Sequence, residues 1–413
     1  MNTIKIKLPN EISTAINTLE NNGYKAYLVG GSVRDYIMGN DVSDYDITTN
    51  ATPENIHDIF DKCIDTGISH GTVTVIINHT HIEITTFRCD GKYSDHRRPD
   101  NVEFSLNIED DLSRRDFTVN ALAYNPKSGI TDLFGGMKDI ENKILKCVGN
   151  AETRFEEDAL RMLRLIRFCS KLGFDAGKET LAALLKKENL IKYVSKERIR
   201  EEIIKTFMSD YPQKVILFKD SKILDFVFEC DFFEKTDDTI LSNIKTLPSV
   251  HIVRMAYILY SLYSDDAEKS KNILSTLKFS NNEKHQITKI IGFVNYCIKN
   301  PDLFSDTYKV KKSMSNFGRD AICMAFDILS LYGDVCAFKE IFDSIERNNE
   351  PYLISHLDID GKDLISIGIK GTLIGDCLDY LLDMVTINPS LNKKEFLIKE
   401  AECFYVKKSI CKN

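Results

Sequence analysis

Over its first third the chain places apolar residues in short runs and alternations; beyond that they recur every three to four positions to the end. Tyr27-Leu28-Val29 predicts a short buried strand, which Gly30-Gly31 ends by adopting backbone angles closed to other residues. Ser32 then stands where a helix N-cap is favoured, with Val33, Tyr36 and Ile37 at helical spacing behind it. Asp44-Tyr45-Asp46 leads into Ile47 and Thr48, which predicts a second strand. The runs TVTVII and HIEITTF, separated by an Asn-His-Thr turn, predict a hairpin. From Ala151 onward strands are expected to stop. Helix-period segments follow at 160–168, 197–207, 253–262, 324–332 and 375–385, divided by polar breaks such as Ser280-Asn281-Asn282 and Asn300-Pro301-Asp302. The pattern predicts a head of mixed strands and helices, then an all-α remainder. No fixed-period repeat or low-complexity linker marks the joints.

Composition narrows the class. The chain has 413 residues, 43% apolar and 28% charged, which describes an ordinary globular protein of two to four domains. No apolar run approaches the roughly eighteen residues that span a bilayer, so no membrane partner is expected. The opening MNTIKIK has no apolar stretch of the signal-peptide kind. Eleven cysteines without a C-x-x-C pair read as reduced core thiols of a cytoplasmic protein, not as a disulfide frame or zinc cluster. A net charge of −8 argues against a non-specific nucleic-acid coat but allows a local basic groove.

Candidate chemistry begins with GGSVRD followed by DYD. A glycine turn opening onto a helix N-terminus points free N–H groups outward, a place to hold phosphate. Strand alternation puts Asp44 and Asp46 on one face, and two hard oxygen ligands opposite a phosphate cradle suggest a magnesium–triphosphate site. The stretch is neither a P-loop nor an EF-hand loop. Taken alone, a D-x-D is a solvated acidic loop more often than a metal site. SRRDFTVNA (113–121) packs two guanidiniums, a carboxylate and an amide into one run, suited to phosphate oxygens and ribose hydroxyls. Its bland reading is a surface ion pair beside a helix cap. DLFGGMKD (132–139) is a glycine turn with no evident chemistry. EDALRMLRLIRF (157–168) predicts one helix with arginines at every third position. Two features are set aside: His57-Asp58 belongs to a surface helix after Thr52-Pro53, and Met255, Ile258, Leu259 and Leu262 form a core stripe.

With VSKERIREEI (194–203), these motifs resemble in content and order those of the class II tRNA nucleotidyltransferases. That family comprises the CCA-adding enzymes and their bacterial poly(A) polymerase relatives, within the DNA-polymerase-β-like nucleotidyltransferase superfamily. The resemblance covers about the first 205 residues; the helical half resembles the family only in character, ILSTLKFSN (273–281) being the nearest shared feature. It implies an α+β fold, with a polymerase-β-like head at 1–148, a helical neck at 149–210, a body at 211–300 and a tRNA-binding tail at 301–413. The implied activity is template-independent addition of CCA to tRNA 3′ ends from CTP and ATP. Asp44 and Asp46 are then the catalytic ligands of Mg²⁺ in a two-metal displacement. Gly31, Arg34 and Arg115 contact the nucleotide, and Asp158, Arg161, Arg164 and Arg167 bind it too. Glu83 is a possible third carboxylate, left outside the expected set.

A template-free enzyme must choose bases with protein groups alone. Cytosine N4 and adenine N6 are donors beside a ring-nitrogen acceptor, whereas uracil and guanine present the reverse. An aspartate paired with an arginine therefore favours C and A. In a continuous helix, Asp158 and Arg161 share a face and brace each other. From Asp158 to Arg167 such a helix rises roughly 14 Å and turns half-way round, so base and phosphates must lie along it, or some arginines pair structurally. Poly(A) polymerases tend to carry basic C-terminal extensions, and CC-adding enzymes lack a flexible segment where this chain has FRCDGKYSDHRRPDNVEF. Both comparisons favour CCA addition; an A-adding enzyme stays open. A metal-dependent glycosyltransferase shares D-x-D, but gives RRDFTVNA and EDALR no role.

Overall fold

The computed structural model describes residues 5–42, 44–68, 71–91, 102–264, 266–301 and 306–410. The N-terminal MNTI, Asp302, Cys411 and positions 92–101 of the FRCDGKYSDHRRPDNVEF segment lie outside the described residues. Two compact units form, residues 1–245 and 246–413.

The first unit is built on a seven-stranded sheet. Its strands are β1 (Ala26–Val29), β2 (Asp46–Thr49), β3 (Cys63–Gly67), β4 (Thr72–Ile77) and β5 (Thr80–Thr86), then, after a separate ribbon of β6 (Arg88–Asp90) and β7 (Val102–Phe104), β8 (Leu122–Asn125) and β9 (Gly129–Asp132). The order is β3-β4-β5-β2-β1-β8-β9, with only β2 and β5 parallel. The expected hairpin is β4–β5, turned by Asn78 and His79 at φ 47° and 66°, the two left-handed residues a tight hairpin requires. Central strands are buried, and Val29, Phe87, Ile108, Leu112 and Ala123 form one of the cores beneath the site.

Helices pack around the sheet: α1 (Asn10–Asn21), α2 (Gly31–Ile37), α3 (Pro53–Ile59), α4 (Ile108–Ser113) and α5 (Gly136–Glu141). Helix α3 is the surface helix expected after Thr52-Pro53. Thr52 and Asn55 form a capping box, and His57 pairs with Asp65 at 2.8 Å. The helical part then begins with α6 (Ala151–Glu157), α7 (Leu160–Leu172), α8 (Lys178–Lys187) and α9 (Lys196–Phe207). Three expectations need correction. Strands do not stop at Ala151, since β10 (Ile144–Leu145) pairs in parallel with β11 (Asp175–Ala176). Ser32 is not the N-cap of α2; Gly30 is, at φ 73°, and the Ser32 hydroxyl donates back to the Val29 carbonyl at 2.9 Å. The helix expected through 157–168 is broken, as the site makes clear.

The second unit is helical among its described residues. Met255, Ile258, Leu259 and Leu262 are buried on the helix His251–Tyr263, as a core stripe should be. The polar break at Ser280 is a helix start, its hydroxyl and Glu283 forming a capping box. The segment expected at 324–332 is helical only to Leu329, within Arg319–Leu329. Leu364, Cys377, Leu381, Val385 and Leu397 share a core near the C-terminus. Among the described cysteines, all free, Cys147, Cys169, Cys297 and Cys377 are buried, but Cys336 and Cys403 are exposed, so the thiols are not uniformly core.

Candidate active site

A cleft of about 560 Å³ opens in the first unit between α2, the start of β2 and helix α7. Every expected site residue lines it: Gly31, Arg34, Asp44, Asp46, Arg115, Asp158, Arg161, Arg164 and Arg167. Lys171 and Arg198, which sequence reasoning did not single out, line it as well.

The glycine pair has a steric reason. A Cβ on Gly30 would come within 3.0 Å of Arg115 Nη1, and one on Gly31 within 3.4 Å of Arg34 Nη2, so bare backbone lets both guanidiniums approach. Asp46 opens β2, and Asp44 lies just before the strand, both exposed to the cleft. Glu83 is the register partner of Asp46 across the parallel β2–β5 pair and lines a smaller adjoining pocket with it. Burial raises the Asp46 carboxyl above its ordinary range, and Glu83 and Asp44 raise it further, while Arg115 pulls it down. That excess of negative charge is what a hard cation relieves. Among the described residues no three His, Cys, Asp or Glu side chains close around one point, so a metal here would rely on Asp44 and Asp46, with substrate and water oxygens completing its shell.

The RRDFTVNA run is a buried ionic framework, not a surface ion pair. Asp111, fully buried in α4, accepts from Arg114 at 2.6 Å and from Arg115 at 3.1 Å, and these partners hold its carboxyl low against the cost of burial. The Arg115 Nε is buried without a partner. Asp116 accepts from Arg164 at 2.6 Å, from the Asn120 amide at 3.1 Å and from the Phe117 N–H at 2.8 Å. Burial alone would raise the Asp116 carboxyl; the Arg164 charge and these hydrogen bonds overcome it and hold the pKa at about 2. Asn120 in turn accepts from Arg34, whose guanidinium also grips Asp35 at 2.8 Å. Asp116 and Asn120 thus serve first as internal anchors, where ribose contacts were the expectation.

DLFGGMKD now has a structural role. Asp132 accepts from the Gly136 and Met137 N–H groups at 2.8 and 3.0 Å, and Asp139 accepts from the Thr118 hydroxyl at 2.7 Å. A Cβ on Gly136 would fall 2.3 Å from the Thr118 carbonyl oxygen, so glycine is needed for α5 to seat against the framework.

Helix α6 ends at Glu157, and Asp158 is extended, with φ −138° and ψ 104°. Asp158, one residue before the N-cap Ala159 of α7, accepts from the Leu160 N–H at 3.1 Å, and its carboxylate is held by Arg198 of α9 at 2.9 and 3.2 Å. The expected brace between Asp158 and Arg161 does not form. Arg161 bonds Glu157 at 2.5 Å and the Arg114 carbonyl at 2.9 Å. Of the alternatives raised by the length of the helix, structural pairing accounts for part: Arg164 goes to Asp116 and Arg167 to Glu202 at 2.6 Å. Arg34, Arg164 and Arg167 all lie over the Phe168 ring, at 5.4, 5.3 and 4.1 Å from its centre. The only sequence signal for Arg198 was its place in VSKERIREEI.

The Poly A polymerase head domain matches residues 26–146, and a domain described as the probable RNA and SrmB-binding site of polymerase A matches 173–230. The chain is 36% identical to the CCA-adding enzyme of Lactobacillus helveticus over 96% of its own length and 98% of that protein. It is likewise 36% identical to the CCA-adding enzyme of Ligilactobacillus salivarius, over 96% and 97%. Among solved structures, the Bacillus stearothermophilus CCA-adding enzyme in complex with CTP aligns at TM-score 0.82 and 27% identity, covering 98% of this chain and 99% of that one. The Thermotoga maritima CCA-adding enzyme complexed with tRNA has the same fold, at TM-score 0.64 and 21% identity, covering 98% and 97%.

Proposed function

Since the chain belongs to the family of CCA-adding enzymes, we propose that its cleft adds CCA to the 3′ end of tRNA from CTP and ATP, releasing diphosphate. The observation that carries this reading is the meeting, in one cleft, of a carboxylate pair able to hold a metal with a run of cations ending at an aspartate–arginine pair. The family implies dependence on a divalent cation; magnesium is the ion that suits two carboxylates and a triphosphate. Asp44 and Asp46 would hold it, with Glu83, the register partner of Asp46, as a further carboxylate beside them. The bound ion supplies a lowered pKa for the attacking 3′-hydroxyl and charge neutralisation of the leaving diphosphate. Arg34, Arg115, Arg164 and Arg167, fixed by their carboxylate and amide partners, present preorganised donors to the phosphates. Asp158 supplies the acceptor for cytosine N4 or adenine N6. Its Oδ1 accepts from both Arg198 and the Leu160 N–H, but Oδ2 keeps a further lone pair after binding Arg198, and Arg161 and Arg198 supply the donors beside it. We retain residues 1–148 as the catalytic head, 149–210 as the neck that reads the base, 211–300 as the body, and 301–413 as a tail that grips tRNA.

The test is to incubate the protein with tRNA lacking its 3′ CCA, CTP, ATP and magnesium, and to sequence the product. Addition of C, C and A, stopping there in excess ATP, supports the reading. Long adenosine tails on a non-tRNA primer indicate a poly(A) polymerase, and a single A added only to tRNA ending in CC indicates an A-adding enzyme.

A further inference from the structure

The cations of the cleft are not equivalent. Eight line it, and seven are arginines already committed inside the protein: Arg34 to Asp35, Arg114 and Arg115 to Asp111, Arg161 to Glu157, Arg164 to Asp116, Arg167 to Glu202 and Arg198 to Asp158. Lys171 alone, among the described cations lining the cleft, makes no hydrogen bond or ion pair to another described residue. It is exposed at the last turn of α7, four residues beyond Arg167 and seven beyond Arg164, hence on their face of the helix. Lys171 lines the cleft together with Asp35 and Asp44; partial desolvation by the cleft walls and the Arg34 and Arg167 charges lower its pKa, while Asp35 and Asp44 raise it. Asp158 and Arg198 stand at the other end of α7. Arg161 and Lys171 are about 15 Å apart along the axis, comparable with an extended nucleoside triphosphate.

Resting on the reading that this cleft takes CTP and ATP, we propose that the Lys171 ammonium binds the outer phosphates of the incoming nucleotide and then the diphosphate product. The arginines hold shape because each is tied to a protein acceptor. A flexible ammonium with no partner is the group able to follow the outer phosphates as they move from bound nucleotide to departing diphosphate. No cofactor or change in bonding is required of it; the step is ionic pairing only. The nearest quoted motif, EDALRMLRLIRF, ends at Phe168, three residues before this position.

Binding of ATP and of AMP to the full-length protein, read by calorimetry without tRNA, tests the inference. AMP keeps the base, ribose and first phosphate but lacks the outer two. Lys171→Gln should weaken ATP by about tenfold, the usual worth of one charge-assisted contact, and leave AMP within about twofold. Lys171→Arg should restore most of the ATP affinity. In the reverse reaction on tRNA ending in CCA, the KM for diphosphate should rise with Lys171→Gln while the preference for CTP over UTP in the forward direction is unchanged. Equal effects on ATP and AMP, or no effect on either, would overturn the assignment. A wild-type protein that binds ATP over AMP through Lys171 but adds nothing to tRNA would overturn the proposed function while leaving this contact standing.

Discussion

Asp158 is held by both terminal nitrogens of Arg198, at 3.2 and 2.9 Å, from a helix forty residues further along the chain. A bidentate pair of this kind fixes the plane of the carboxylate as well as its position. The proposed base-reading acceptor is therefore oriented by α9 as well as by the Leu160 N–H of the helix that follows it in sequence.

Base choice should depend on both partners. Asp158→Asn replaces an obligate acceptor with a group that can turn to donate, so UTP use relative to CTP should rise by roughly five- to a hundredfold, the worth of one base pairing. Arg198→Gln leaves the carboxylate but frees its orientation, and should raise misincorporation in the same direction by a smaller factor. Steady-state kinetics with each nucleotide on the same tRNA would decide. Unchanged CTP preference in both variants would place base choice elsewhere.

Asp44→Ala and Asp46→Ala should each abolish nucleotide addition while leaving tRNA affinity within about threefold, because RNA binding rests on phosphate contacts. Removing divalent ions with a chelator should have the same effect on the wild type. Gel-shift and primer-extension assays on the same preparations separate the two quantities, and brisk magnesium-dependent addition by either variant would sink the metal assignment.

The Asp116–Arg164 pair should make stability depend on acid pH. Burial opposes ionisation of Asp116, but Arg164, Asn120 and the Phe117 N–H hold its folded pKa at about 2, below the unfolded value of 3.8. The folded state thus binds fewer protons between these values, and the stabilisation is complete above about pH 4 and lost as pH falls toward 2. From the shift it amounts to about 2 kcal/mol. Denaturant titrations at pH 5 and pH 2.5 should show this loss in the wild type and a shallower dependence in Asp116→Asn.

Gly136→Ala should destabilise the first unit without touching any proposed ligand-binding group. The added methyl meets the Thr118 carbonyl oxygen at 2.3 Å, so α5 must shift, at a cost of about 1–3 kcal/mol typical of overpacking. Thermal unfolding measures it; an unchanged midpoint would mean α5 moves freely and the Asp139–Thr118 contact does not brace the site.

What the sequence made legible follows the range of the interactions involved. The β4–β5 hairpin and most helices after Ala151 rest on local periodicity and turn residues, and appear close to where the pattern puts them, the segments at 157–168 and 324–332 excepted. That the proposed site residues line one cleft was readable from the order of the motifs that hold them. The break at Asp158 was not, because the apolar spacing from 157 to 168 is continuous; at the interruption the Asp158 carboxylate is held by the Leu160 N–H and by Arg198, a distant partner. Strands β10 and β11 are two residues each, too short for any period to register. Lys171 has no motif around it, and its interest lies in what it lacks.

The middle of the sheet also dictates when the site can exist during synthesis. Strand β1 sits between β2 and β8, with Leu28 opposite Tyr124, and the Gly30 N–H bonds the Leu122 carbonyl at 3.1 Å. Closing so long a loop costs little extra free energy, since the entropy grows only logarithmically, but such distant pairing forms slowly. A ribosome-bound chain ending before Leu122 therefore carries β1 with one edge unpaired, a template for another chain's strand. The Gly30 backbone becomes fixed only when β8 emerges, and Arg164 reaches Asp116 later still. The phosphate cradle and the helix meant to face it are completed in that order, so a nascent chain stalled between them should be the species most prone to aggregate.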